Sequence, residues 1–260
     1  MGEFADRHGS GALRRRIRLL RLDDNRVRGG VEDDMHHYEC VLHHRDGRVA
    51  GWDVDPLRTP WSPCAGSATQ LDELIGTPLS TSTLASAAGL DVRQQCTHLF
   101  DLALLTISHA ARGIAERHYD ATVPDWTEPP FAATLDRDGR RMLRWELGTT
   151  AEITAPPGFA GVSLRGGFLA WSEQRLHPDL AEAAQVLRRA VWLSPARLID
   201  LEGCDDAIES SLTPGVCWTA QPERITLAPR VRHSLRGHGP SADGMLAGFD
   251  ERARGTRTAR

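Results

Sequence analysis

Two Asp-Gly dipeptides do most to limit what this chain can become. Asp46-Gly47 separates "HHYECVLHH" from "VAGWDVDPLR", and Asp138-Gly139 separates "FAATLDR" from "RMLRWEL". Each pair suits a tight turn in which both central residues take positive φ, and strand-like runs stand on either side. An antiparallel hairpin is therefore expected over 31–58 and another over 131–157. "RIRLLRL" near the N-terminus alternates as a further strand.

Elsewhere the apolar spacing turns helical. Leu99, Leu102, Ala103, Leu105, Ile107, Ala110 and Ile114 recur on one face, which predicts a long helix from Thr97 to about Arg117. "HPDLAEAAQVLRRAVWLSPARLIDL" supplies a second amphipathic helix, with Pro178 near its start and Pro195 past its end. A short helix is expected over 67–75, closed by Gly76. The stretch "TPLSTSTLASAAGLDVRQQ" reads as a small-residue linker or a short helix. From His233 onward Gly, Arg and Ser dominate without periodicity, so that tail is expected to be disordered. The predicted class is α+β: antiparallel β-hairpins packed against two main amphipathic helices. The expected organisation is a flexible N-terminus over 1–13, a single domain over 14–232 and a disordered tail over 233–260.

Composition excludes several functions. The formal net charge of −4 gives no reason to expect a nucleic-acid partner. The local basic run "LRRRIRLLRL" reads as a solvated strand face in preference to a polyanion patch. No apolar stretch nears the roughly twenty residues of a membrane helix. The start "MGEFADRHGSGALRRR" has no apolar signal region, and Asp6 stands where a lipidation signal needs Ser or Thr. A cytoplasmic protein with no membrane partner is expected, in which Cys40, Cys64, Cys96, Cys204 and Cys217 are thiols or ligands. The chain also contains no lysine, so all 31 basic residues are Arg. Schiff-base and pyridoxal phosphate chemistry need an amine that can lose its proton, and a P-loop needs its lysine on the phosphates.

Four residues could form a site. In "DDMHHYECVLHH" strand alternation places His36, Tyr38, Cys40, Leu42 and His44 on the more apolar face, which carries His36 towards the core. Met35, His37, Glu39, Val41 and His43 take the other face. Cys64 ends the rigid loop "TPWSPC" beside a helix start, where a thiol pKa falls. Cys96 and His98 begin the long helix. Two residues apart inside a regular helix they would diverge by about 200°, so they converge only at its terminus. The four offer two imidazoles and two potential thiolates, the donors that Zn²⁺ prefers. They lack the short C-x₂-C pairs of zinc fingers, and each alone also reads as a core histidine or a small buried cysteine. Asp101, one turn beyond His98, could orient that ring or complement the helix dipole. Arg188, Arg189 and Arg197 could grip a carboxylate, or pair with Asp200 and Glu202. His37, Asp101 and Arg188 form the candidate catalytic set.

The stretches "RRRIRL", "DDMHHYECVLHHRDGRV", "PWSPCAGSATQLDELIG", "QQCTHLFDLALL", "LRRAVWLSPARLIDLEG" and "GVCWTAQP" resemble an uncharacterised bacterial family, domain of unknown function 2889, over most of the chain. "QCTHLFDL" is the most specific of them. The resemblance implies that His36, Cys64, Cys96 and His98 belong to the family pattern, with His36 favoured over His37. It also implies a setting in aromatic or acyl-CoA catabolism, but no activity. Three functions follow. The first is a metal-dependent enzyme, with zinc the expected metal, acting as a hydrolase or lyase on a small organic acid, ester or acyl-thioester. The second is a metal-free hydrolase with a cysteine nucleophile and a histidine base. The third is a non-catalytic protein with a closed structural metal. The partner expected is a small-molecule substrate, and nothing in the sequence signals an oligomeric state.

Overall fold

The computed structural model describes residues 11–125, 131–149, 151–210, 212–238 and 242–258. Its strands are β1 (Ala12–Arg21), β2 (Arg26–Glu32), β3 (His37–Arg45), β4 (Arg48–Arg58), β5 (Glu116–Pro124), β6 (Phe131–Arg137), β7 (Arg140–Leu147) and β8 (Ile153–Ala155). The helices are α1 (Thr83–Ser86), α2 (Thr97–Arg112), α3 (Phe168–Arg175), α4 (Pro178–Leu193), α5 (Pro222–Ile225) and α6 (Phe249–Thr258), with a 3-10 segment over Ser62–Leu74. No helix among these residues is long and apolar enough to cross a membrane.

All eight strands share one antiparallel sheet in the order β4-β3-β2-β1-β5-β6-β7-β8. Both Asp-Gly turns form as expected, with φ of 51° and 70° at Asp46 and Gly47 and 52° and 75° at Asp138 and Gly139. The sheet is two four-stranded meanders joined through the β1–β5 pairing. Each meander leads on to a 16-residue helix, α2 for the first and α4 for the second. These are the two main amphipathic helices. They lie on the sheet, with Leu99, Leu102 and Ile107 of α2 and Val186 and Leu187 of α4 meeting Leu13, Ile17, Tyr38, Tyr119 and Trp145 in the main core.

Contact between α2 and β2 is close enough to require a bare backbone. A Cβ added at Gly29 would stand 2.5 Å from Thr106 Oγ1 and 3.1 Å from a Leu102 methyl. Glycine at this position lets α2 settle onto the sheet and brings its N-terminus to the β2–β3 turn.

Three expectations need correction. The long helix ends at Arg112, not Arg117, because Gly113 takes φ 65° and caps it, its N–H donating to Ala110 O. The next residues, from Glu116, turn into β5. The basic run of β1 is only partly a solvated face: Arg14, Arg16 and Arg18 are half-buried, but Arg15 shares the inward face of Leu13 and Ile17 and is buried in the core. The tail expected to be disordered contains α6, which covers the outer face of β2 and β3. There Phe249 sits on Gly30, where a Cβ would meet the ring at 2.8 Å. Arg252 Nε donates to both Glu39 carboxylate oxygens at 3.1 Å. Covering this face explains why Glu39 and Val41 are buried although they alternate away from the core.

A second, smaller core gathers the turns after α4 against the loop leading to Cys64. Met35, Trp61, Cys64, Leu201, Ala207, Ala220 and Ile225 meet there. Between the two cores lies a cavity of about 550 Å³.

Candidate metal centre beside an apolar pocket

The site begins with the turn between β2 and β3, Asp33-Asp34-Met35-His36. Asp33 Oδ1 accepts from the backbone N–H of Met35 at 3.0 Å and of His36 at 2.9 Å, while Asp33 N donates to His36 O at 2.9 Å. This side chain-to-backbone turn places the carboxylate under the His36 ring. Arg58 reaches over from β4 and donates to the carbonyls of Asp33 at 2.6 Å and Asp34 at 2.9 Å. His36 thus belongs to a braced turn just before β3, not to the strand itself.

α2 delivers the second histidine. Cys96 is the N-cap residue and uses no side-chain capping bond, and His98 follows in the first turn. The His36 and His98 rings stack with centroids 3.5 Å apart and planes inclined by 22°. His36 Nδ1 stands 3.6 Å from Asp33 Oδ1, and His98 Nε2 stands 3.5 Å from Asp33 Oδ2. Both separations exceed hydrogen-bond length, and both nitrogens are buried with no hydrogen-bond partner among the described residues. Among the described residues, Asp33, His36 and His98 form a group whose ligand atoms all lie within 4.8 Å of one another.

The charge states suit a cation. Burial pushes the Asp33 carboxyl up, but His98, His36 and Arg15 outweigh it and hold the group well below the usual carboxylate range. Burial lowers both imidazoles, and the like charge that His36 carries when protonated lowers His98 further, which favours the unprotonated rings with a lone pair to give. Ligand atoms 2.0–2.2 Å from a tetrahedral ion stand roughly 3.3–3.6 Å apart. The two nitrogen-to-oxygen separations fall within that spacing, each to a different oxygen of the carboxylate.

Behind the carboxylate runs a chain of charge. Arg15 Nη1 donates to Asp33 Oδ2 at 2.7 Å and Nη2 to Asp101 Oδ2 at 3.3 Å. Arg189 Nε donates to Asp101 Oδ1 at 3.4 Å. Asp101, expected to orient His98, instead ties Arg15 to Arg189 and so acts on the site through Asp33. His37 points to the opposite face of β3, where Nε2 meets Glu39 Oε1 at 3.2 Å, and it does not line the pocket. Arg197, one of three candidate carboxylate binders, is buried against Asp34 and Asp125 and offers nothing to a ligand.

His36, Cys64, Cys96 and His98 all line the one cavity. The sulfurs do not join the tight group of ligand atoms among the described residues. Cys64 Sγ lies 3.1 Å from Thr219 Oγ1, and Cys96 Sγ 3.6 Å from the Tyr38 hydroxyl, which donates to Cys64 O. Burial, together with Cys96, pushes the Cys64 thiol far up, so it stays protonated. Cys217 adds a third thiol to the wall, and all five cysteines are free. Trp61, Trp192, Leu193, Ile199 and Leu212 make the rest of the pocket largely apolar, with Arg188 and Arg189 on one side.

Asp33 and Arg15 are the residues that sequence reasoning missed. The Asp-x-x-His spacing of Asp33 and His36 was available as a signal, as was the period-2 spacing that puts Arg15 on one strand face with Leu13 and Ile17. No protein-family model matches the chain, and neither the curated proteins nor the solved structures contain a detectable match.

Proposed function

We propose that this protein is a metal-dependent enzyme, a hydrolase or lyase that acts on a small organic acid, ester or acyl-thioester in a catabolic pathway. Membership of the uncharacterised bacterial family that its motifs resemble is part of this proposal. The observation that carries it is the pair of buried, partnerless imidazole nitrogens beside an ionised carboxylate. Left without a cation, two desolvated acceptors and a buried charge are costly, whereas a divalent ion would satisfy all three. Zn²⁺ remains the first candidate, since two imidazoles and a carboxylate with an open position are a known catalytic zinc arrangement. The same donors serve ferrous iron.

A divalent ion here would polarise a substrate carbonyl and lower the pKa of bound water. The chain's own part is positional. Asp33, His36 and His98 would hold the ion, and Arg15 keeps Asp33 ionised and fixed. The largely apolar wall lowers the polarity around the reacting groups. The pocket beside the three donors supports an open site over a closed structural one. The protonated state of Cys64 speaks against Cys64 as a metal-free nucleophile at neutral pH.

Elemental analysis of protein purified without chelator or affinity metal tests the reading. About one equivalent of zinc or iron is expected, with a cobalt-substituted form showing an exchangeable position. Protein free of metal that also fails to take up Zn²⁺ or Fe²⁺ would end it.

A further inference from the structure

The pocket carries an unmatched positive charge. Asp33 is met by Arg15, and Asp101 by Arg189 as well as Arg15. Arg188 has no carboxylate in contact among the described residues. Its Nε donates to the Leu164 carbonyl at 2.7 Å, and among the described residues no acceptor takes either Nη. Trp192 Nε1 donates to the same carbonyl at 2.8 Å. One backbone oxygen therefore fixes both an aromatic wall and a cationic fork of the cavity that His36 and His98 share. Burial and the adjacent Arg189 bring the Arg188 guanidinium down to about 10, so it stays charged at neutral pH.

A half-buried guanidinium with its fork free, set in a cavity lined mainly by apolar side chains, selects a ligand with one anionic end and a hydrocarbon body. Among the described residues that line the pocket, Arg188 is the guanidinium left without a carboxylate, so one carboxylate balances it. We propose that the substrate of this pocket is an apolar monocarboxylate, held by its carboxylate on Arg188 with its body against Trp61, Trp192 and Leu212. This deepens the enzymatic reading and rests on the pocket being where substrate meets the metal ligands. It narrows the substrate from the acid, ester or thioester that metal chemistry alone admits to the free acid.

Calorimetry on the zinc-loaded full chain tests this with straight-chain acids from butanoate to decanoate and with hexanamide as the uncharged counterpart of hexanoate. Each added methylene should tighten binding about fourfold until the pocket fills. Hexanamide should bind at least about tenfold more weakly than hexanoate, and Arg188→Gln should erase that difference while leaving hexanamide affinity unchanged. Equal affinity for acid and amide in the native protein would overturn the proposal, whether or not the variant folds. So would a preference for acid that survives in folded Arg188→Gln. Zinc uptake is measured on the same samples. Uptake without a preference for acid sinks this inference alone, and a preference for acid in protein that takes up no metal sinks the metal reading alone.

Discussion

The imidazoles of His36 and His98 lie face to face, 3.5 Å between centroids, and each directs one nitrogen to a different oxygen of the Asp33 carboxylate. The relationship exists because a turn and a helix start meet at one point. Asp33 is held from below by Arg15 and from the backbone side by its own turn, so the carboxylate is oriented before any ligand arrives.

The first prediction concerns which donors hold the ion. His98→Ala should lose the metal and the activity while keeping the fold, because a pocket-lining ring is removed and the core of α2 is untouched. Cys64→Ser and Cys96→Ser should retain about one equivalent of metal, since their sulfurs stand outside the tight group. Metal content of the purified variants by elemental analysis checks both statements. Loss of the ion in either serine variant would show that the thiolates bind as well.

A second prediction follows from Arg15, which is buried together with Asp33. Removing one partner of a buried pair leaves an uncompensated charge and costs about 3–5 kcal/mol. Arg15→Leu should lose that much stability in metal-free protein by denaturant titration. With the ion bound the loss should shrink, because the cation takes over part of the neutralisation of Asp33. An equal loss with and without metal would place the ion elsewhere.

Much of this was legible in the chain, and what was not has identifiable causes. The Asp-Gly turns and the two long helices are local patterns that the fold preserves, whereas His36 and His98 meet only because the helix packs on the sheet. Asp33 was hidden because it serves as turn-former and ligand candidate at once, and the first role accounts for an Asp before a strand. Arg15 was hidden in a run of arginines whose other members do face outward. Gly113 ended α2 before Ile114 because a left-handed cap outweighs one more apolar position in register. The C-terminal segment was misread because Phe249 and Arg252 are two specific contacts in a stretch whose composition resembles disorder.

The third prediction is a pH dependence set by Glu39. Burial pushes its carboxyl up, but hydrogen bonds from His37, Arg252 and Arg28 outweigh this and bring it down to about 2 from an ordinary value of 4.5. A carboxyl with a lower pKa folded than unfolded binds fewer protons in the native state. Its contribution is therefore complete above about pH 4.5 and is lost as pH falls towards 2. The difference corresponds to about 3 kcal/mol. Stability measured by urea titration between pH 6 and pH 2 should fall less steeply in Glu39→Gln, by about that amount. Parallel curves for the two proteins would show that His37, Arg252 and Arg28 do not hold Glu39 ionised.

The last prediction ties the sheet to the site through a single missing side chain. A Cβ at Gly29 would stand 2.5 Å from Thr106 Oγ1, a distance that forces α2 away from β2. Thr106 cannot yield easily, since its hydroxyl is buried and donates to Leu102 O at 2.8 Å. Gly29→Ala should therefore destabilise the protein by about 1–3 kcal/mol, the usual cost of overpacking a well-filled core. The effect should extend to the site, because α2 carries His98 and moves as a rigid element. Metal affinity should weaken even though position 29 touches no ligand. Thr106→Ala removes the obstructing atom, so the double variant should recover part of both losses, a coupling that a thermodynamic cycle over the four proteins measures directly. Additive losses with unchanged metal affinity would mean that the position of His98 does not depend on how closely α2 lies on β2.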